Sequence, residues 1–338
     1  MQLSPRHHRR TLAAATGLVA LLTTGAATAA QATPPPPRTA TAAAAVGQTG
    51  PYLYLGWGNP PKATDVMSAT GTKQFTMAFM LSDGGCAPKW DGSRALTGGT
   101  DQSTINAIRA AGGEVTVSFG GWSGNKLGEK CSSASALAAA YQKVIDAYQL
   151  KAIDIDIEST EFENATVRQR VIDALKTVKQ KNSGIKVYVT FGTTTTGPDG
   201  NGTDLVKRGA RAGVDVDGWT VMPFDFGQGS VDMAAATKSA VDGLKNTVAS
   251  AYGLSPDAAY RKVGFSSMNG KTDVAGETVS LADFNSMLSY AKSHHLARAS
   301  FWSLNRDRKC GSGTDADACS GINQGTYDFT KALAGYTG

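Results

Sequence analysis

Apolar residues follow two different spacings along this chain, and the two spacings alternate from about residue 50 to the C-terminus. Short runs rich in β-branched and aromatic residues predict strands, whereas longer segments with apolar positions three or four residues apart predict helices. The strands are predicted at Tyr52–Trp57, Gln74–Leu81, Glu114–Phe119, Ala152–Glu158, Lys186–Phe191, Gly218–Phe224, Lys262–Ser267 and Ala299–Leu304. The helices are predicted at Asp65–Ala69, Asp101–Ala111, Ser135–Leu150, Asn164–Lys181, Thr203–Ala212, Asp232–Tyr252, Leu281–His295 and Thr326–Ala334.

Eight strands that alternate with helices predict an α/β protein, a (β/α)8 TIM barrel built as a single domain. The competing architecture is a doubly wound open sheet. Such a sheet often carries a glycine-rich phosphate loop after a strand, and neither G-x-G-x-x-G nor G-x-x-x-x-G-K-[ST] occurs in the chain. The pattern therefore favours the barrel.

The fourth predicted strand places three carboxylates on one face. Side chains alternate along a strand, so Asp154, Asp156 and Glu158 share a side and are about 7 Å apart, with isoleucines on the other side. Like charges at this range raise one another's pKa, so burial of the row for stability alone is a poor solution. The alternatives are a solvated acidic face and a cation site.

Other polar and aromatic residues gather at the ends of neighbouring strands. The third strand runs into residues 118–122, the sixth into residues 222–226, and the eighth carries Trp302 and Asn305. In a (β/α)8 barrel the carboxyl ends of the strands form the active face. This convergence favours a catalytic row over a solvated acidic face.

The first residues have the pattern of a secretory signal peptide. Arginines within residues 6–10 precede an apolar run, Leu12–Leu22, and small residues follow it. A membrane anchor is the alternative, but the run is too short to favour one. We therefore expect a signal peptide at 1–30, a Pro/Ala/Thr-rich linker or disordered tail at 31–49, and the catalytic barrel at 50–338 in a secreted, extracellular protein.

Charge argues against some partners. The chain carries 33 Lys and Arg against 28 Asp and Glu, a formal net charge of +5. Removal of the predicted signal peptide takes away three arginines and no acid, which leaves about +2. No basic block of the kind that binds nucleic acid or a membrane surface is present. A neutral, polar partner fits better, and we expect a monomer.

The cysteines indicate disulfides rather than a metal site. Cys86, Cys131, Cys310 and Cys319 form an even set in a chain expected to be secreted. Their spacing suggests Cys310–Cys319 and, by exclusion, Cys86–Cys131, although the sequence alone allows three pairings. No CxxC or histidine-rich spacing supports zinc, and we expect neither a metal nor a cofactor.

The motifs at the strand ends resemble those of glycoside hydrolase family 18, the chitinases and their relatives. Residues 153–158 resemble the family's DxxDxDxE signature, residues 118–121 its SxGG motif, and residues 222–225 its strand-six M-x-Y-D segment. Trp302 stands where the family places its last-strand tryptophan. The resemblance covers about residues 50–338, and it is greatest to secreted actinobacterial chitinases of the chitinase D-like kind.

The resemblance implies a role for each carboxylate. Glu158 is the general acid that protonates the glycosidic oxygen and afterwards the base that activates water. The nucleophile is the substrate's own acetamide oxygen, so the reaction passes through an oxazolinium ion and retains configuration. Asp156 holds the acetamide N–H, and Asp154 shares a proton with Asp156 so that the two do not both carry full charges.

The resemblance also implies substrate contacts. Trp302 forms an apolar floor under the sugar, and Asp225 binds the distorted sugar near its acetamide. Ser118 hydrogen-bonds towards Asp154, while Gly120 and Gly121 allow the backbone to approach closely.

One residue departs from the family pattern at the site. Phe224, two residues after Met222, stands where the family commonly has a tyrosine whose hydroxyl helps hold the acetamide oxygen. Tyr188 and Thr190 on the fifth strand are candidate replacements for that hydroxyl. Lys151-Ala152, where the family often has Asp-Gly, lies at the entry of the strand, away from the chemistry.

Further aromatic residues near strand ends are candidates for outer sugar subsites, because aromatic faces suit the apolar faces of pyranose rings. They are Trp57, Trp90, Trp122 and Phe226. For each of them, packing in the core or in a loop is an alternative.

The seventh and eighth strands are joined by a short segment. Between Ser267 and Ala299 there is room for one loop and one helix, so the small α+β insertion that deepens the cleft in some family members is not expected. We therefore expect an open cleft and an endo-acting chitinase on chitin or chito-oligosaccharides. The alternatives are an endo-β-N-acetylglucosaminidase that acts on N-glycans and a non-catalytic chitin-binding lectin.

Overall fold

The computed structural model describes residues 45–312 and 315–338, so the predicted signal peptide (1–30) and most of the predicted linker (31–49) lie outside the described residues. The described residues contain a barrel sheet of eight parallel strands that pair in chain order. These strands are β1 (Tyr52–Tyr54), β2 (Gln74–Ser82), β3 (Glu114–Gly120), β4 (Ala152–Asp156), β5 (Lys186–Gly192), β6 (Gly218–Met222), β7 (Val263–Met268) and β8 (Arg298–Trp302). Each predicted strand has a counterpart, and the predicted (β/α)8 barrel is confirmed.

Helices connect the strands. They are α1 (Ala63–Thr70), α2 (Thr100–Ala110), α3 (Leu127–Lys130), α4 (Ala134–Tyr148), α5 (Ser159–Glu163), α6 (Ala165–Lys181), α7 (Gly200–Ala212), α8 (Met233–Tyr252), α9 (Pro256–Tyr260), α10 (Leu281–His294) and α11 (Asp328–Ala334). The pattern does not predict α3, α5, α9 or a short strand, Pro88–Trp90, that pairs antiparallel with β2. Elements of three to five residues are too short to display a periodicity.

Local side chains determine where several helices begin. The Asn164 side chain accepts hydrogen bonds from the first backbone N–H groups of α6. At α10, Ser280 and Asp283 form a reciprocal capping box. Such caps satisfy N–H groups that have no partner inside the helix, so the caps end the preceding loops at defined residues.

The barrel has an apolar outer layer and a polar interior. On β4, Ile153 and Ile155 are buried in the hydrophobic core, which also contains residues of the surrounding helices. The residue between them, Asp154, points inward and accepts hydrogen bonds from Ser118 on β3 and Thr190 on β5. The alternation predicted for the fourth strand therefore places its isoleucine side chains in the outer core and its aspartate side chain inside the barrel.

The barrel closes through residues that precede β1. Thr49 forms a parallel bridge with Ala299 of β8, and the Ala299 N–H donates to the Gln48 carbonyl at 3.0 Å. The Gly47 N–H donates to the Gln74 side chain of β2. The end of the segment predicted as a linker thus contacts both sides of the seam.

The connection from β7 to β8 is short, and the structure describes all of it. It holds a two-stranded hairpin, Gly270–Lys271 with Thr278–Val279, followed by α10. No small α+β insertion is present there. The sequence pattern predicts one loop and one helix, and it misses the hairpin because its strands have two residues each.

Two disulfides join Cys86 to Cys131 and Cys310 to Cys319, with Cα–Cα distances of 4.7 and 5.0 Å. This is the pairing that the spacing suggested. Within residues 45–312 and 315–338, none of the helices combines the length and apolar character that a bilayer crossing needs.

Candidate active site

Three carboxylates lie at the carboxyl end of β4. The strand ends at Asp156, two residues earlier than predicted, because α5 begins at Ser159. Glu158 nevertheless keeps an extended backbone, with φ −137° and ψ 170°. The alternation of the strand therefore continues through Glu158, and Asp154, Asp156 and Glu158 form a row from the barrel interior to its mouth.

Asp154 is fully buried and accepts four hydrogen bonds. Tyr52 Oη and Ser118 Oγ each donate to Oδ2 at 2.7 Å. Thr190 Oγ1 donates to Oδ1 at 2.7 Å, and Arg298 Nη1 donates to the same oxygen at 2.9 Å. A carboxylate has about four lone-pair sites, so these donors occupy all of them.

This arrangement argues against the expected proton sharing between Asp154 and Asp156. A proton shared with Asp156 needs a free lone pair on Asp154, and the four donors leave none. Asp154 is also ion-paired with Arg298, and both side chains are almost completely buried. The ion pair with Arg298 favours the ionised form of Asp154.

Arg298, which pairs with Asp154, is a residue that the sequence analysis missed. It is the first residue of β8 and lies on the same face as Trp302, four residues later. Its guanidinium lies 5.7 Å from the Tyr52 ring centroid and 5.0 Å from that of Tyr188. The detectable signal was a charged residue in the inward phase of a strand otherwise made of apolar and small residues.

A glycine makes room for Arg298. A Cβ atom on Gly264 of β7 would lie 2.3 Å from the Arg298 carbonyl oxygen and 2.8 Å from its Cβ atom. The close approach of β7 and β8 at this point therefore excludes any larger residue at 264.

Asp156 is buried like Asp154, but its hydrogen bonding differs. It is 3% exposed, and its Oδ1 is buried without a hydrogen-bond partner among the described residues. Burial raises the pKa of Asp156 well above its usual value, and the negative charges of Glu158 and Asp154 raise it further. Burial thus favours the neutral form of the Asp156 carboxyl, and its Oδ1 is a free acceptor.

Glu158 has an acidity suited to proton transfer near neutral pH. Burial raises the pKa of Glu158 to about 7; the nearby Lys126 ammonium opposes the rise, and the Asp225 carboxylate adds to it. A carboxyl with a pKa near the working pH can both give and take a proton.

Lys126 and Glu161 form a second buried layer that the sequence pattern did not reveal. Each is 2% exposed, and the Lys126 ammonium donates to the Ser123 carbonyl oxygen at 2.6 Å. Burial raises the pKa of Glu161 to about 8. Burial also lowers the pKa of Lys126, while Glu161, Glu158, Asp156 and Glu129 oppose that change. Lys126 therefore supplies positive charge close to the catalytic row.

The end of β3 requires its two glycines. A Cβ atom on Gly120 would lie 2.1 Å from the Asp156 carbonyl oxygen, and one on Gly121 would lie 2.9 Å from the Phe79 ring. Both have positive φ values, 106° and 86°. The Gly121 N–H donates to the Asp156 carbonyl at 2.8 Å, so the two glycines hold the backbone of Asp156 in place.

Aromatic rings form one wall of the site. Trp302 stacks on Phe79, with 5.5 Å between ring centroids and 15° between planes, and lies 6.1 Å from Trp57. Trp57 is 45% exposed and Trp122 is 72% exposed, so both have a face available to a ligand. Trp90 does not, because it is completely buried and its Nε1 donates to Tyr148 Oη. The interpretation of Trp90 as an outer-subsite residue is wrong.

The end of β6 supplies Met222, Phe224 and Asp225. Met222 is buried and Phe224 half-buried, whereas Asp225 is exposed. Asp225 Oδ1 accepts the backbone N–H groups of Asp273 and Val274 at 3.0 and 3.2 Å, so this carboxylate orders the loop of the hairpin. Its Oδ2 has no hydrogen-bond partner among the described residues and remains available.

Neither candidate replacement for the hydroxyl absent at Phe224 has a hydroxyl that is free to bind a ligand. Tyr188 Oη donates to the Val46 carbonyl oxygen at 3.1 Å, and Thr190 Oγ1 donates to Asp154. Both residues are buried. The suggestion that either one replaces the tyrosine hydroxyl is therefore wrong, because each hydroxyl is committed to the barrel interior.

Metal-binding geometry is not found in the part of the chain that the structure describes, where no group of three or more His, Cys, Asp or Glu side chains is placed to hold an ion. Three acids in a row can suggest a cation site, but Asp154 is already paired with Arg298.

Comparisons with known proteins find similarity to proteins described as chitinases. No protein-family model matches the chain. It is 27% identical over 274 residues to the “Probable bifunctional chitinase/lysozyme” of Escherichia coli K12 and 26% identical over 275 residues to “Endochitinase 11” of Metarhizium anisopliae. Each alignment covers 76% of this chain, but only 30% of the bacterial protein and 52% of the fungal one.

A solved chitinase structure is also similar to this chain. The catalytic domain of a hyperthermophilic chitinase from Pyrococcus furiosus matches with a TM-score of 0.77 and 25% identity. The match covers 87% of this chain and 96% of that domain.

Proposed function

We propose that this chain, a distant homologue of the chitinases, is a family 18 chitinase that hydrolyses β-1,4 bonds between N-acetylglucosamine units with retention of configuration. One observation carries the proposal. The three carboxyl groups of the row differ in a regular order. Asp154 accepts four hydrogen bonds, one of them from a cation, and Asp156 has a buried oxygen without a partner. Glu158, at the mouth of the barrel, has a pKa of about 7.

Glu158 acts as the acid and then as the base. Its pKa of about 7 keeps it protonated below neutral pH, so it can donate a proton to the glycosidic oxygen as the bond to the anomeric carbon breaks. The ionised Glu158 then takes a proton from the incoming water as the water oxygen bonds to the anomeric carbon. The bond between that carbon and the acetamide oxygen of the oxazolinium ion breaks in the same step, which restores the acetamide. The carboxyl returns to its protonated form.

Asp156 positions the nucleophile, which is the acetamide oxygen of the substrate. Its buried Oδ1 has no partner, so an acetamide N–H gives it one. In this orientation the acetamide oxygen attacks the anomeric carbon as the leaving group departs, which forms the oxazolinium ion. No carboxylate of the protein needs to bond to the sugar, in contrast to the double-displacement pattern.

The surrounding residues shape the sugar site. Trp302, supported by Phe79, provides the apolar floor, and Trp57 extends the aromatic surface outward. Asp225 contacts the sugar through its free Oδ2, while Met222 and Phe224 line the same edge. With phenylalanine at 224, the acetamide oxygen receives no hydroxyl from this position.

The open face of the barrel supports endo-type cleavage. The connection from β7 to β8 carries a hairpin and α10, with no insertion that would roof the cleft. We further infer a secreted protein of the chitinase D-like kind, with a signal peptide at 1–30 and a linker ahead of the barrel. Two disulfides and the N-terminal pattern support secretion.

Glu158→Gln tests the proposal directly. The variant keeps the shape of the side chain but cannot donate a proton, so turnover of chitotetraose should fall by at least about 100-fold while binding persists. Glu163→Gln is the matched control, because Glu163 is an exposed carboxylate at the end of α5, the helix that follows Glu158. Near-wild-type hydrolysis by Glu158→Gln would refute the assignment.

The wild-type protein separates the alternatives. Cleavage of chitotetraose with initial release of the β-anomer, seen by NMR, supports the retaining chitinase. Cleavage of a high-mannose glycopeptide in place of chitotetraose indicates the endo-β-N-acetylglucosaminidase. Binding of chitotetraose without any cleavage indicates the lectin.

A further inference from the structure

We propose that Arg298 is a positioning residue that fixes Asp154 as a permanent anion and thereby confines the exchangeable protons of the carboxylate row to Asp156 and Glu158. The inference deepens the proposed function and rests on it for its catalytic meaning. Its structural content, the ionised state of Asp154, can be measured without any activity.

The first step is the saturation of Asp154. Three hydroxyl groups and one guanidinium N–H point at its two oxygens, at 2.7 to 2.9 Å. The hydroxyls of Tyr52, Ser118 and Thr190 act as donors in this arrangement, so each is already oriented towards a negative charge. A neutral Asp154 would carry a hydrogen on one oxygen, so one of its hydroxyl partners would have to turn and accept that hydrogen, whereas the Arg298 N–H can only donate.

The second step is the charge balance around Arg298. Asp154 is its single salt-bridge partner among the described residues, at 2.9 Å. Its second nitrogen, Nη2, donates to Tyr52 Oη and Thr76 Oγ1, both neutral groups. The other titratable groups that face it are Tyr188, through its ring, and Asp156. The charges of the buried Asp154–Arg298 pair therefore balance each other.

The third step is the effect on the row. An anion that is paired and saturated cannot accept a proton from Asp156, so the proton of Asp156 has Glu158 as its only carboxylate neighbour to exchange with. The charged groups that face these two residues are Asp154, Arg298, Lys126 and, at Glu158, Asp225. Asp156 therefore keeps its free oxygen for the substrate and is not diverted to Asp154.

Removal of the guanidinium should reverse this arrangement. In Arg298→Met, Asp154 would be a fully buried carboxylate without a cation, and burial strongly disfavours an unpaired charge. Asp154 then takes up a proton, donates it towards Asp156, and occupies the oxygen that the substrate needs. Arg298→Lys keeps a cation at the same place and should keep Asp154 ionised, although lysine lacks the planar fork of donors.

The test is carboxyl carbon NMR on protein labelled with ¹³C at the aspartate carboxyl groups, with Asp154 assigned by its loss in Asp154→Asn. At pH 6 we expect the shift of an ionised carboxylate for Asp154 in the wild type and in Arg298→Lys. We expect a shift at least halfway to the neutral value in Arg298→Met. An ionised Asp154 in folded Arg298→Met, or a neutral Asp154 in the wild type, would overturn the inference.

Turnover of chitotetraose provides the second readout. Arg298→Met should lower kcat at least tenfold with a smaller change in KM, and Arg298→Lys should recover much of the loss. If Arg298→Met fails to fold, the wild-type spectrum still decides the state of Asp154. Absence of turnover in the wild type, with an ionised Asp154, would reject the proposed function and leave the assignment of Arg298 intact.

Discussion

Glu158→Gln should make the protein more stable, and the gain should depend on pH. An ordinary glutamate has a pKa of 4.5, and burial raises the pKa of Glu158 in the folded protein to about 7. Between these values the folded state binds a proton that the unfolded state has released. Since stability rises with pH only where the unfolded state binds more protons, the contribution of Glu158 to the stability of the wild type falls as pH rises from about 4.5 to about 7.

The size of the effect follows from the shift. Each pKa unit corresponds to 1.36 kcal/mol, so a rise from 4.5 to about 7 costs the folded state about 3 kcal/mol once both states are ionised. Glutamine at 158 has no charge to bury and avoids this cost. The substitution also removes the negative charge of Glu158 from the neighbourhood of Asp156, and this further stabilises the variant at high pH.

Urea unfolding of both proteins at pH 4 and pH 8 measures the difference. We expect nearly equal unfolding free energies at pH 4 and a variant more stable by about 3 kcal/mol at pH 8. Glu163→Gln, at an exposed position at the end of α5, should show no comparable pH-dependent gain. A stability difference between Glu158→Gln and wild type that does not change with pH would refute the burial of a neutral acid at this position.

Two further predictions concern the surroundings of the site. The alkaline limb of the kcat/KM profile should have its midpoint near the Glu158 pKa of about 7. Lys126→Met should move that midpoint to higher pH, because removal of a nearby cation raises the pKa of an acid. A midpoint that stays in place or moves to lower pH would contradict the role of Lys126. Replacement of Cys86 and Cys131 by serine, which opens a loop of 45 residues, should cost about 4 kcal/mol of unfolding free energy in the chain-entropy account, measured by urea unfolding against wild type; a loss below about 1 kcal/mol would reject that account.

The fold and the carboxylate row were predictable because both are properties of local spacing. Strand and helix periods give eight alternating units, and an alternation of two places Asp154, Asp156 and Glu158 on one face without knowledge of any neighbour. The partner of Asp154 was not predictable in the same way. Arg298 lies 144 residues away in the chain, and only closure of the barrel brings it to the carboxylate.

The mistaken assignments have the same physical origin. Alternation states that Tyr188 and Thr190 point into the barrel, but it does not state at which depth they lie or what they meet there. Their hydroxyls reach the Val46 carbonyl and Asp154, below the substrate face. Trp90 was misread because its strand, Pro88–Trp90, is too short to show which of its faces is buried.

The seam of the barrel sets a limit on how far the N-terminus can be trimmed. Sequence alone suggests a boundary at residue 50, yet the Gln48 carbonyl accepts the N–H of Ala299, and the Val46 carbonyl accepts the hydroxyl of Tyr188. Ala299 directly follows Arg298, and the Tyr188 ring lies against its guanidinium. A recombinant protein begun at residue 50 would therefore remove support from the cation that pairs with Asp154.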